Sequence, residues 1–281
     1  MSQEFAALYV VPTPLGHLGD LSLRAIDILR QVAWVAAEDT RHSAPLLRHF
    51  GSNARLLPCH QHNEEAAAQQ VLARLAAGES VALVVDAGTP AVSDPGAALV
   101  ARARAAGFRI VPLPGPCAAV VALSAAGIET SHFLFCGFLP SKAGPRAQAL
   151  AELADVPYAL IFYEAPHRIV DTAVALRAAF GERRRVVLAR ELTKLYEEFH
   201  DCVLADLEQW LLADTDRQRG EFVLIVAGAP PAAADGEGER VLSLLLAEGL
   251  PVSQASRLAQ AITGASRKAL YSAALRMQSG D

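Results

Sequence analysis

The sequence predicts an α/β protein with two sheet-bearing domains and a C-terminal helical module, and three observations carry that reading. Short apolar runs alternate with helical patterns along residues 1–116, the arithmetic of βαβ units and a mostly parallel sheet. A second group of strand-like runs begins near Phe133, and two of them adjoin with no helix between, which requires antiparallel pairing and hence a mixed sheet. The stretch PPAAADGEG, residues 230–238, has linker composition and separates these from three short helical patterns. The expected division is an N-terminal α/β domain over 1–116, a second α/β domain over 117–229, a linker over 230–238 and a helical unit over 239–281.

Each element has a local reason. Residues 8–11, 32–37, 81–85 and 109–113 are apolar runs of strand length, and 21–30, 64–77 and 96–106 carry helical patterns. The turn Pro114-Gly115-Pro116 interrupts them before an apolar helix at 118–126. Strands are expected next at 133–138, 158–163, 185–189 and 222–227, helices at 146–153 and 168–180, and a hairpin through 195–204. Near the C-terminus, a glycine turn at Gly264 joins helical patterns at 253–263 and 266–277 in the outline of a helix-turn-helix, with Arg267 and Lys268 in the first turn of the second helix. Cations at that end oppose the helix dipole and point to an anion in front of them; a two-helix packing unit accounts for the same pattern.

Composition bounds the rest. With 281 residues, 52% hydrophobic and 20% charged, the chain is long enough for two packed domains. Cys59, Cys117, Cys136 and Cys202 are far apart and lack CxxC spacing, which fits a reducing cytoplasm and argues against a zinc site or a disulfide framework. The first residues, MSQEFAALYVV, lack a basic segment and do not read as a signal peptide, and the weakly polar run at 117–128 is too short to span a bilayer. A net charge of −5 provides no global basic field, although the basic residues are nearly all arginine.

Chemistry-bearing residues gather where strands are expected to end. Residues 81–85 form a strand apolar on both faces that stops at Asp86-Ala87-Gly88-Thr89-Pro90, and ligands of open α/β sheets bind at such strand ends. The same segment also reads as helix punctuation, with Asp94 as N-cap and Pro95 at the first helical position. Pro12-Thr13-Pro14-Leu15-Gly16-His17 follows the first strand and lacks both GxGxxG and a P-loop lysine. Glu38-Asp39-Thr40-Arg41 places two acids and a base at one strand mouth, where a capped helix start is the plainer account. In His60-Gln61-His62-Asn63-Glu64 the imidazoles have no third metal ligand in view, so hydrogen bonding to a polar substrate is preferred, with Asn63 capping the following helix. Glu164 and Arg168, and likewise Arg190 to Lys194, end strands of the second domain, and charges at several strand ends mark a shared cleft.

The segments LYVVPTPLGHLGDLSLRA, AEDTRHS, HQHNE, VDAGTPAVSDPG, PLPGPCA, FYEAPHRI, ARELTKLYEE and GEFVLIVAG occur in one order between Leu8 and Gly228. Together they resemble the ribosomal RNA small-subunit methyltransferase I family of the tetrapyrrole-methylase superfamily, and the C-terminal helices are similar to that family's as well. The resemblance implies a tetrapyrrole-methylase-type pair of α/β domains with S-adenosylmethionine bound between them. It implies 2′-O-methylation of a cytidine in the decoding region of 16S rRNA, acting on the small ribosomal subunit, by a cytoplasmic homodimer with no metal and no membrane attachment. By motif, the donor contacts Leu15, Asp86, Ala87, Gly88, Pro90, Ser93, Gly115 and Ala118, closed by Phe162, Tyr163 and Leu192. His17 stands where the family's first loop usually has asparagine.

Methyl transfer to a ribose hydroxyl needs alignment and a proton acceptor. The candidate acceptors are Glu38, Asp39, Glu64 and Glu164, with His62 as the imidazole alternative and Glu64 preferred. Arg41, Arg168, Lys194, Arg267 and Lys268 are the candidates for RNA contacts. A corrin-type tetrapyrrole methyltransferase would share the donor site but would not need the C-terminal helices, and an RNA-binding protein without catalysis would not need the strand-end loops.

Overall fold

The computed structural model describes residues 6–60, 63–230 and 234–279. The first domain runs through β1 (Ala7–Val10), α1 (Leu23–Gln31), β2 (Trp34–Ala37), α2 (Thr40–His49), β3 (Arg55–Pro58), α3 (Glu64–Ala76), β4 (Val81–Val84), α4 (Ala97–Ala105) and β5 (Arg109–Pro112). Its strands form a fully parallel sheet in the order β3-β2-β4-β1-β5. β4 is buried along its whole length because helices cover both faces, which explains the unbroken apolar run that encodes it.

The second domain follows as α5 (Ala118–Ala125), β6 (Phe133–Phe138), α6 (Ala143–Leu153), β7 (Ala159–Glu164), α7 (Ile169–Phe180), β8 (Arg185–Arg190), β9 (Glu198–Val203), α8 (Leu204–Leu212) and β10 (Phe222–Val226). The sheet order is β6-β7-β10-β8-β9, with only β6 and β7 parallel. β8 and β9 form the expected hairpin. One face of this sheet packs its own core, including Phe162, Leu188 and Leu224; the other, with Ile161, Val187 and Val223, meets α5 and Leu15 of the first domain. The cleft between the domains opens along that second face.

The C-terminal module is α9 (Ala234–Ala247), α10 (Val252–Thr263) and α11 (Arg267–Ser279) around a small core of Leu242, Leu270 and alanines. Gly264, with φ of +72°, makes the left-handed turn between α10 and α11. The helix at Ala234 begins within the stretch whose composition reads as linker. Among the described residues, no helix is long and apolar enough to cross a membrane.

The helix start near residue 96 differs from the sequence expectation. Asp94 and Pro95 precede the helix instead of capping it; Gly96, at φ of +124°, holds the N-cap position of α4. The cap comes from outside: Glu64 Oε1 accepts from the N–H groups of Gly96 (3.0 Å) and Ala98 (3.2 Å). Asn63 does sit at the N-cap position of α3, but its side chain closes the preceding loop, accepting from His60 N (2.8 Å) and donating to the Pro58 carbonyl (3.1 Å).

Candidate active site

The strand-end loops of both domains enclose a cavity of about 440 Å³. The first loop is tied to the loop after β4 by two backbone hydrogen bonds, Thr13 N to Gly88 O (2.9 Å) and Gly88 N to Thr13 O (3.0 Å), and by the buried Thr13 hydroxyl, which donates to Val85 O. Thr89 Oγ1 donates to Pro116 O at 2.7 Å, joining the same loop to the crossing between domains. At that crossing Gly115 lies so close to Pro12 that a Cβ would come within 2.6 Å of the ring. Gly16 similarly touches the side chain of Lys194, which brings the first loop onto the loop after β8.

Backbone strain is concentrated at the two lips. Among the described residues, the non-glycine residues with positive φ are Ala91 and Ser93 on one lip and Glu191 and Thr193 on the other. Such conformations cost on the order of 1–3 kcal/mol each and persist where the surroundings impose them.

Of the donor contacts expected by motif, Leu15, Asp86, Ala87, Gly88, Ser93, Ala118, Tyr163 and Leu192 line the cavity. Pro90 is buried beneath the loop, and Gly115 shapes the crossing against Pro12; neither lines the cavity. Phe162 is corrected: strand alternation turns its fully buried ring into the core on the far face of the sheet, while Tyr163 faces the cleft. The Tyr163 hydroxyl accepts from Ala119 N at 3.0 Å, and burial pushes its pKa up. The lining also contains Thr89, Val92, Asp94, Cys117 and Phe138, which sequence reasoning did not assign to the site. His17 Nδ1 accepts from Gly19 N at 3.1 Å and so caps the short turn at Leu18–Asp20, a bond that an asparagine side chain could also make.

The candidate acids separate. Glu38 lines the cavity, with its pKa raised by burial and by Asp86. Asp39 leaves the list: it caps α2 through Arg41 N and grips the Arg41 guanidinium at 2.7 Å, which holds its carboxyl well below the usual range. Glu64 likewise leaves it, since its carboxylate is committed to the start of α4. His62 lies outside the described residues. Glu164 is buried, accepting from Thr172 Oγ1 (2.6 Å) and Ala165 N (2.8 Å) and pairing with Arg168 at 3.2 Å. Asp94 is new to the set, and burial together with Glu38 and Asp86 pushes its pKa up to about 6. A test separates the two accounts of Glu64: as a cap, Glu64→Gln keeps an acceptor and costs little, whereas Glu64→Ala lowers stability by about 1 kcal/mol in thermal unfolding. Loss of turnover in Glu64→Gln at unchanged stability would restore the base assignment.

The candidate RNA-binding cations separate as well. Arg168 Nη2 donates to the carbonyls of Leu139 (2.6 Å) and Pro140 (3.3 Å), so it is an internal strut. Lys194 bridges Glu191 and Glu221, each at 2.9 Å. Arg41 is exposed but paired with Asp39. Arg267 and Lys268 lie exposed in the first turn of α11.

The cavity wall thus carries Glu38, Asp86 and Asp94, together with Glu164 and Glu221, which are paired with Arg168 and Lys194 behind it, and no lysine, arginine or histidine is among its lining residues. Such a wall suits a cationic ligand and repels a phosphate-rich one.

Comparison with known proteins agrees with this geometry. Residues 7–208 match the model of the tetrapyrrole (corrin/porphyrin) methylases, and residues 232–278 match that of the RsmI C-terminal HTH domain. A ribosomal RNA small subunit methyltransferase I of Pseudomonas aeruginosa is 50% identical over 275 residues, covering 96% of this chain and 97% of its own. Its namesake in Xylella fastidiosa is 52% identical over 266 residues, covering 94% and 97%. Among solved structures, a uroporphyrin-III-C-methyltransferase of Thermus thermophilus shares the fold at TM-score 0.59 and 20% identity, covering 88% of this chain and 99% of its own. A structure of uroporphyrin-III C-methyltransferase from the same organism complexed with S-adenyl homocysteine aligns at TM-score 0.57 and 19% identity, covering 79% and 97%. On these matches, with the two-sheet fold and its strand-end cleft, the chain belongs to the ribosomal RNA small subunit methyltransferase I family within the tetrapyrrole methylases.

Proposed function

We propose that the protein transfers a methyl group from S-adenosylmethionine to the ribose 2′-hydroxyl of a cytidine in the decoding region of 16S rRNA, within the small ribosomal subunit. The observation that carries the donor assignment is the acid-lined, cation-free cavity between the domains. Its volume suits a small-molecule ligand, and Leu15, Val92, Ala118 and Leu192 supply apolar wall beside the acids. When bound, S-adenosylmethionine supplies a methyl group on a positively charged sulfur. The chain's own residues do the rest. Asp86 and Glu38 complement positive charge, with Asp86 Oδ1 fixed by the N–H of Asp39 at 3.3 Å. The strained lips hold the walls in place, and Tyr163, anchored at Ala119 N, closes the side of the second domain. Asp94, with a pKa of about 6, accepts the hydroxyl proton at neutral pH.

The exposed Arg267 and Lys268 at the start of α11 support the RNA assignment, because a helix N-terminus and two cations favour the same phosphate. Replacing both with alanine is expected to lower methylation of small subunits about tenfold, to flatten its salt dependence by roughly one to two in log–log slope, and to spare donor binding. Uncovered apolar residues along edge strand β6, Phe133 and Leu134, support the homodimer, checked by light scattering. A ribosomal substrate places the reaction in the cytoplasm. The deciding experiment presents labelled donor to under-methylated small subunits and, separately, to precorrins. Label is expected on a ribose of 16S rRNA; label on the corrin alone would overturn the assignment.

A further inference from the structure

Phe138 is an apolar ring held in water at the mouth of the cavity. It lines the cavity and yet is 54% exposed. A bulge in β6 between Phe135 and Gly137, with Gly137 at φ of +63°, puts it there. Three residues apart on a regular strand, Phe135 and Phe138 would face opposite sides of the sheet. With the bulge, both rings meet Tyr163 edge-on, at 4.9 and 5.7 Å between centroids. Cys136 and Leu139 pack into the core on the opposite face. Arg168 grips the carbonyls of Leu139 and Pro140 directly after Phe138, and Arg168 is itself held by buried Glu164. The ring is therefore fixed at its base and bare on its outer face.

The position of Phe138 identifies what covers it. A Cβ on Gly137 would lie 3.3 Å from Ser93 Oγ, so the bulge abuts the loop that carries Asp94 as its next residue. The bare ring and the proton acceptor therefore share one side of the cavity mouth. We propose that Phe138 is the platform on which the acceptor nucleobase stacks, fixing the attached ribose so that its 2′-hydroxyl reaches Asp94. An unstacked base of single-stranded RNA commonly finds an aromatic side chain, and stacking of this kind tolerates any base. Phe138 thus sets the position of the acceptor, and the choice of cytidine lies in other contacts. This inference rests on the RNA methyltransferase reading above.

The test compares wild type, Phe138→Ala and Phe138→Trp in methylation of small ribosomal subunits that lack the modification, with donor affinity measured by calorimetry and mass by light scattering. Phe138→Ala is expected to raise KM for subunits about 10- to 100-fold at unchanged donor Kd and mass. Phe138→Trp is expected to restore KM to near the wild-type value, and its added indole emission to be quenched when subunits bind. An unchanged KM in Phe138→Ala, or unquenched emission in Phe138→Trp, overturns the proposal. A donor Kd that rises with KM gives the ring to the donor, and a change of mass gives it to a contact between copies; either also overturns it. If the wild type itself labels no rRNA, the underlying functional reading falls and takes this one with it, whereas labelling by wild type and by Phe138→Ala with equal KM removes this one alone.

Discussion

Exchange of Asp94 for asparagine is expected to cut methyl transfer by about two orders of magnitude while making the protein more stable at neutral pH. Both effects have one origin. A positioned general base contributes roughly 10²–10⁴-fold to a rate, and asparagine cannot accept the proton. The folded protein, meanwhile, holds this carboxylate against burial and against Glu38 and Asp86, which is why its pKa rises from 3.8 to about 6. Between those values the folded state binds more protons than the unfolded one, so Asp94 lowers stability as pH rises through that window. The Tm of Asp94→Asn should therefore exceed that of the wild type above pH 6, with the gap closing below about pH 4. In wild type, kcat/KM should fall as pH drops through about 6, and the corresponding limb of kcat should lie lower because a bound cation favours the carboxylate. Calorimetry and a pH–rate profile check the two halves separately. Full turnover in Asp94→Asn would move the base to Glu38.

Glu164→Ala is expected to produce the largest loss of stability, about 3–5 kcal/mol, read as a fall in the calorimetric Tm of roughly 6–20 °C. Removing this carboxylate leaves the Arg168 guanidinium nearly enclosed, with its Nε facing nothing, and strands the fully buried Thr172 hydroxyl. The loss should include methyl transfer even at temperatures where the variant stays folded, because Arg168 also holds the chain just after Phe138. Glu164→Gln keeps an acceptor for Thr172 and should fall between the two.

The parallel sheet was legible because its central strand is apolar on both faces and the segments at 21–30, 64–77 and 96–106 carry plain helical patterns. β3 was not legible: it has four residues, begins with exposed Arg55 and ends in Pro58, which an edge strand tolerates. α8 was missed because it starts at Leu204 directly after β9 ends at Val203, with no turn residue between. The donor-side loops were legible as ordered motifs, but the commitments of individual side chains were not. Glu64 and not Asp94 caps α4, because the N-cap acceptor comes from another helix, 32 residues earlier in the chain, and local pattern cannot show a partner that distant. Phe162 and Tyr163 were taken together, although a strand sends neighbours to opposite faces.

The contact between Gly115 and Pro12 has a consequence for where the protein tolerates change. No atom of Gly115 takes part in the proposed chemistry, yet one added methyl would have to displace a proline ring by a large fraction of an ångström at the crossing between domains. Misplacement on that scale at a reacting centre costs about 10²-fold in rate. A fine tolerance is therefore set at the joint, where a bare glycine serves as the spacer gauging how wide the jaws stand.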